Sequence, residues 1–299
     1  AYGELEPFYE KIIEWLDIDR SKLLLTSGSD AGIKAVYETF IDHDDEVIIT
    51  LPNYAMFSVY ADMFSVKKII HYYEKDLTLN VDELIEKINP NTKLVIVSNP
   101  GHTGTVIKEE EIVKILNRAK SCEALVLIDE AYHHFYKQTM ISNIENYNNL
   151  IVSRTFSKAF GLASLRIGLL IGHKTIITEL YKVKLVHEIT GLAAKIGTYL
   201  LNHLEILNQY VDEVNKGKEL LYNELNKMGF ATMKSESNFI FFNTPKSINP
   251  NQLIEYLEKN KILIRGPFNK NPFDNQLRIT VGDIDQMDHF CKILRLYQT

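Results

Sequence analysis

Leu125-Val126-Leu127-Ile128-Asp129-Glu130-Ala131-Tyr132 decides how this 299-residue chain is read. Four apolar residues stand in a row and an acid closes them, without the alternation of a half-exposed strand. Such a run reads as a strand covered on both faces, as in a parallel sheet. Six more runs flank it, at Lys22–Thr26, Glu46–Thr50, Val66–Tyr72, Lys93–Ser98, Leu150–Ser153 and Arg166–Gly172. Between them lie segments of helical period: Ala31–Ile41, Tyr54–Phe64, Asp82–Ile88 and Glu109–Ala119. Strands alternating with helices predict an α/β fold, here a seven-stranded, mostly parallel sheet sandwiched by helices.

From about Thr190 the character changes. Long helices are predicted at Leu192–Leu207 and Tyr210–Met228, then strands within Ala231–Asn243, Ile262–Arg265 and Gln276–Val281, with a helix at Asn251–Lys259. This points to a smaller C-terminal α+β unit. We expect a large domain over residues 18–205, a small one over 206–299, and an N-terminal segment over 1–17. The opening Ala1-Tyr2-Gly3 has no methionine and runs straight into a helical pattern, from which we expect a truncated N-terminal arm.

Composition narrows the function. Apolar residues make up 45% and charged residues 24%, ordinary for a soluble globular chain. A formal net charge of -6 argues against a nucleic-acid binder, whose footprint would be basic. Cys122 and Cys291 are too few for a disulfide framework, so a cytoplasmic location is expected. No apolar run has the length of a membrane span, and no membrane partner is expected.

Ligands of open α/β sheets bind beyond the carboxyl ends of the strands. The loops there are rich in chemistry: Gly28-Ser29-Asp30-Ala31-Gly32, Pro52-Asn53-Tyr54, Asn99-Pro100-Gly101-His102-Thr103-Gly104, Asp129–Tyr132, and Ser153–Arg166. The last reads Ser153-Arg154-Thr155-Phe156-Ser157-Lys158-Ala159-Phe160-Gly161-Leu162-Ala163-Ser164-Leu165-Arg166. It closely resembles the lysine segment of class I/II, fold-type I aminotransferases, which use pyridoxal 5′-phosphate (PLP), and within them the histidinol-phosphate aminotransferase branch. A required residue falls at a set place by chance about one time in twenty, so Asp129, Tyr132, Lys158 and Arg166 together weigh far more than any alone.

The resemblance implies a role for each residue. Lys158 would hold the cofactor aldehyde and later move a proton between the substrate α-carbon and the cofactor C4′. Asp129 would pair with the pyridine nitrogen, Tyr132 would bond the ring oxygen, and Tyr54 would stack on the ring. Arg166, Ser157, Thr155 and the backbone N–H groups of Asp30 and Ala31 would bind the phosphate. Tyr2 falls where the family has a tyrosine reaching the phosphate of the other subunit. Arg278, in Gln276–Gly282, would grip a substrate anion, with Arg265 as a second contact. The family's Asn-Pro-Thr-Gly loop is altered here and one residue shorter, and His102 stands where an asparagine donates to the ring oxygen. A homodimer acting on small amino and keto acids is also implied.

Plainer readings stand beside these. Alone, Lys158 is a surface lysine, Asp129 a turn cap, Tyr54 and Tyr132 rim or core aromatics, Arg166 an ion-pair residue, and Arg265 and Arg278 solvated strand residues. His133 and His134 have no carboxylate spacing for a metal and are read as structural, so no metal is expected. Two other functions stay open. One is a PLP decarboxylase or lyase of the threonine-phosphate decarboxylase kind, which the altered loop admits. The other is a non-catalytic PLP-binding regulator, for which no DNA-binding module is visible. A nicotinamide dehydrogenase is weaker, because no GxGxxG opens a helix after the first strand.

Overall fold

The computed structural model describes residues 3–269 and 272–298 and is built around one seven-stranded sheet. Its strands are β1 (Leu23–Ser27), β2 (Glu46–Leu51), β3 (Lys67–Tyr72), β4 (Thr92–Ser98), β5 (Leu125–Asp129), β6 (Leu150–Thr155) and β7 (Ile167–Gly172), in the spatial order β1-β7-β6-β5-β4-β2-β3. All neighbours pair parallel except at β7, which runs antiparallel to both β1 and β6. The unbroken apolar runs now have their explanation. Val126 and Ile128 face one hydrophobic cluster while Leu127 faces the other, so successive residues are all buried.

Helices α1 (Glu6–Leu16), α2 (Gly28–Phe40), α3 (Ala55–Met63), α4 (Val81–Lys87), α5 (Glu109–Ser121), α6 (His133–Tyr136), α7 (Lys174–Leu180) and α8 (Gly191–Asn202) accompany the sheet. Local chemistry sets several of their starts. Asn80 accepts from Glu83 N at 3.2 Å, and Thr190 accepts from Ala193 N at 3.1 Å. Each satisfies an N–H that lacks a helical carbonyl. Beneath the sheet rim Arg154 and Glu130 form a buried ion pair at 2.9 Å, which Thr139 and the Met140 N–H also bond.

The rest of the chain holds α9 (Leu204–Lys227), β8 (Ala231–Thr232), β9 (Phe239–Asn243), α10 (Pro250–Lys259), β10 (Leu277–Thr280) and α11 (Ile284–Gln298). Strands β10, β9 and β8 form a small antiparallel sheet. Two expectations need correcting. The long helices divide at His203, not near residue 208, because His203 leaves helical geometry (φ -129°, ψ 54°) and its ring Nδ1 meets Glu205 Oε1 at 2.8 Å. Ile262–Arg265 is not a strand, since only Arg265 pairs, through an isolated bridge to Arg278. His133 and His134 stand side by side. They open the one-turn helix α6, and their rings lie 5.3 Å apart.

Candidate active site

Strands β1, β2, β4, β5 and β6 all end on one edge of the large sheet, and the residues singled out above gather there. Asp129 is the last residue of β5 and only 4% exposed. Its Oδ1 accepts the Ala131 N–H at 3.2 Å, and Ser98 Oγ lies 3.4 Å from Oδ2. Ser98 is held in turn by Asn53, 2.7 Å away, and Asn53 by Thr50. Burial pushes the Asp129 carboxyl up to about 6, against the pull of the Ala131 N–H and the Lys158 ammonium. A carboxylate held in this way is short of a positive partner.

Lys158 follows β6, and its Nζ lies 5.2 Å from the centre of the Tyr132 ring. Tyr132 is itself buried, edge-on to Phe239 of β9 at 5.3 Å and to His102 at 5.8 Å. Phe239 had no signal in the sequence. It links the large-sheet rim, through Tyr132, to the small sheet, where Arg278 of β10 has its guanidinium carbon 5.0 Å from the Phe239 ring centre.

The start of α2 makes the second half of the site. Gly28 has φ +77°, and a Cβ there would fall 2.4 Å from Arg166 Nη2, so the guanidinium lies flat against the glycine. Gly28 N donates to Arg166 O at 3.0 Å. That leaves the Ser29 and Asp30 N–H groups open at the positive end of the helix dipole, beside a guanidinium. Tyr60 OH fixes the Asp30 carboxylate at 3.1 Å.

Two of the groups expected at the phosphate have partners within the chain. Ala31 is the fourth helical residue, and its N–H falls within reach of the Ser27 carbonyl, whereas the Ser29 N–H has no carbonyl of the helix to reach. The Thr155 hydroxyl is used by its own loop: it accepts from Ser157 N at 3.1 Å and reaches Ile167 O at 3.4 Å. The Ser157 hydroxyl has no partner among the described residues.

Tyr54 stands at the mouth of the cleft, 36% exposed, close enough to Asp30, Arg166 and Asp129 to feel their charges. Burial and Asp30 push its phenol up. His102 lies nearly parallel to it, with ring centres 6.2 Å apart and planes 18° apart. Burial, then Lys158 and Arg278, push the His102 imidazole down to about 3, so it is neutral. The loop carrying it is closed by Asn99, whose side chain bonds both the N–H and the carbonyl of Ile107, at 2.9 and 3.0 Å. Asn99 is therefore spent on the loop.

Arg278 and Arg265 are backbone-paired, at 2.7 and 3.0 Å, so their side chains share one face of the ribbon. Burial and then Arg265 work against the Arg278 charge, with Tyr132 opposing. Two like charges turned to one side suit an anion. Tyr2 lies outside the described residues.

These residues fit PLP. A buried carboxylate short of a cation suits a protonated pyridine nitrogen, and an arginine over a helix N-terminus suits a phosphate dianion. Lys158 and Tyr132 stand with the carboxylate and His102.

Comparison with known proteins agrees. The family described as "Aminotransferase class I and II" matches residues 3–294. A histidinol-phosphate aminotransferase of Caldanaerobacter subterraneus subsp. tengcongensis is 33% identical over 295 residues, 97% of this chain and 82% of that protein. The crystal structure of the Clostridium acetobutylicum histidinol-phosphate aminotransferase superposes with a TM-score of 0.89 at 22% identity, over 99% of this chain and 90% of that one. The Sinorhizobium meliloti histidinol-phosphate aminotransferase, solved in complex with pyridoxal-5′-phosphate, gives 0.89 at 19% identity, over 99% and 83%.

Proposed function

The chain belongs to the class I and II aminotransferase family of PLP-dependent enzymes, and from that premise we propose that it moves the amino group of histidinol phosphate to a small keto acid. The observation that carries this reading is Lys158, Asp129, Tyr132 and Arg166 meeting in one cleft opposite an arginine pair. The curated relatives that bear the histidinol-phosphate name support the substrate.

PLP, when bound, supplies an electron sink for the bonds to the substrate α-carbon. The chain supplies position and protons. Lys158 would hold the cofactor through Nζ and, when its amine is free, would carry a proton between the substrate α-carbon and the cofactor C4′. Asp129 keeps the pyridine nitrogen protonated. Arg166, the Ser29 and Asp30 N–H groups and the Ser157 hydroxyl hold the phosphate, and Tyr54 covers the ring. Arg278 and Arg265 hold the anionic end of the substrate, which fixes the bond presented to Lys158. A keto acid would be gripped by the same arginines, with Lys158 moving the proton in the opposite direction.

We take residues 18–205 as the cofactor-binding unit, 206–299 as the substrate-gripping one, and the working form as a cytoplasmic homodimer. Leu185, Val186, Leu192 and Tyr199, all more than half exposed, support a covered face there. Among the described residues no helix is long and apolar enough to cross a membrane.

The test is a visible absorption band on adding PLP, lost in Lys158→Ala, followed by amino transfer from histidinol phosphate to a keto acid. Carbon dioxide released from an amino-acid phosphate, with no keto product, would overturn the reaction. Sedimentation at micromolar concentration reads the dimer.

A further inference from the structure

Half-buried Arg278 has donors with nothing to bond. Among the described residues its guanidinium makes no hydrogen bond and no ion pair, and its carbon lies 5.0 Å from the centre of the Phe239 ring. Strand register explains where it goes. Arg278 stands directly opposite Phe241 of β9, and Phe239 is the diagonal neighbour on the same face, within reach of a long side chain. One face of Phe241 is covered by Phe273, with ring centres 4.3 Å apart and planes 10° apart. The arginine leans along the ladder to Phe239 instead.

Phe239 is itself fixed. It is 3% exposed and meets the rings of Tyr132 and Phe241 nearly at right angles, at 5.3 and 5.8 Å between centres. Two braced rings therefore stand between two basic groups, because Lys158 Nζ lies 5.2 Å from the Tyr132 centre. An aromatic face is negative, and a guanidinium laid over it keeps its N–H donors, which lie in its own plane, for other partners. A side chain held this way need not be ordered when an anion arrives. Arg265, exposed and backbone-paired to Arg278, has no ring under it among the described residues.

We propose that Phe239 is a positioning residue for Arg278: its ring, braced on Tyr132, holds the guanidinium at a set place relative to Lys158 with its donors free for the substrate anion. The small sheet thereby presents an arginine ordered in advance. This rests on the reading that Arg278 grips that anion.

Arginine side-chain nuclear magnetic resonance of the PLP-loaded protein reads the contact directly. The Arg278 Nε proton is expected to be shifted upfield by the Phe239 ring and the Arg265 one is not, with Arg278→Lys assigning the signal. Inorganic phosphate titrated against that signal gives the anion affinity while PLP fills the site at Arg166. Phe239→Leu, apolar but without a ring face, should remove the shift and weaken phosphate about fivefold, the worth of one half-buried cation–ring contact. A trifluorinated phenylalanine at position 239 keeps the shape, drains the negative face, and should fall between the two. In turnover, Phe239→Leu should raise the KM for histidinol phosphate about fivefold and leave kcat within about twofold. A loosened arginine must be ordered on binding but then holds the substrate in the same place.

An unshifted Arg278 signal in the wild type, or an unchanged phosphate affinity in Phe239→Leu or in the fluorinated variant, would overturn the proposal. So would a kcat that falls while KM holds, the mark of a displaced Tyr132 and not of a loosened arginine. An upfield Arg278 signal that ignores phosphate would overturn the anion grip on which the proposal rests. A wild-type protein that loads PLP without turning over histidinol phosphate would instead overturn the substrate, and the shift and the phosphate titration would still decide the role of Phe239.

Discussion

Asp129→Asn should make the cofactor-free protein more stable while weakening its hold on PLP. Burial raises the Asp129 carboxyl from its ordinary 3.8 to about 6, so at neutral pH the folded chain carries a charge it would rather lack. A group whose folded pKa is raised binds its proton more tightly when folded. Its destabilisation is absent below the unfolded value and fully developed above the folded one. At about 1.4 kcal/mol per pH unit, the shift amounts to roughly 3 kcal/mol at pH 7.5 and about half that at pH 5. The amide removes the charge and occupies nearly the same volume. Urea unfolding of both proteins without PLP, at equal protomer concentration, should give the variant an advantage of about 2–3 kcal/mol at pH 7.5 that shrinks by about half at pH 5. An Asp129→Asn protein that is equally or less stable at pH 7.5, or whose advantage ignores pH, would refute the argument. The cofactor would then not be needed to neutralise that charge.

Gly28→Ala should lower PLP affinity at least tenfold, about 1.4 kcal/mol, because the new methyl displaces Arg166 Nη2 and the φ of +77° strains any side chain; equilibrium dialysis reads it. Arg154→Met leaves Glu130 charged and buried and should cost about 3–5 kcal/mol in urea unfolding, with part recovered on adding Glu130→Gln; a loss under about 1 kcal/mol would contradict the buried pair. Stability should also fall on acidification. Burial first, then neighbouring charges, hold His71 below its ordinary pKa and His102 and His134 at about 3. Below about pH 6.5 the unfolded chain takes protons that these rings refuse, costing about 1 kcal/mol each for His102 and His134 between pH 6.5 and 5.5, with His71 acting in the same direction. The Asp129 gain is smaller than their sum, so a free energy of unfolding that stays level or rises over that window would contradict this.

The large sheet was legible because its chemistry is local. Every apolar run became a strand to within two residues, since burial on both faces leaves a continuous hydrophobic signature. Asp129, Tyr132, Lys158 and Arg166 were legible because each stands beside a strand end in a recognisable pattern. Ser98, Asn53 and Phe239 were not. Serine and asparagine after a strand are common turn residues, and the role of Phe239 exists only once the small sheet meets the large one. For Thr155 the sequence showed the hydroxyl but not its partners, which lie within its own loop. The break at His203 and the failure of 262–265 to form a strand depend on one side-chain bond and one missing partner strand. Neither has a periodic signature.

Strand β7 is the one that runs against its neighbours, and this has a consequence for how cofactor spacing is conserved under mutation. Because β6 and β7 are antiparallel and in register from Thr155 opposite Gly168 to Ile151 opposite Gly172, the segment between them is a hairpin loop with Lys158 near one end and Arg166 at the other. On the roles proposed for Lys158 and Arg166, the two ends of the cofactor would be spanned by a single caliper, whose jaws share one hinge of backbone bonds. Twisting or repacking elsewhere in the sheet carries both jaws together and leaves the gap unchanged. A residue inserted or lost within the loop alters the gap itself. Tolerance to change should therefore drop sharply on entering this hairpin, whether or not the altered residue touches the ligand.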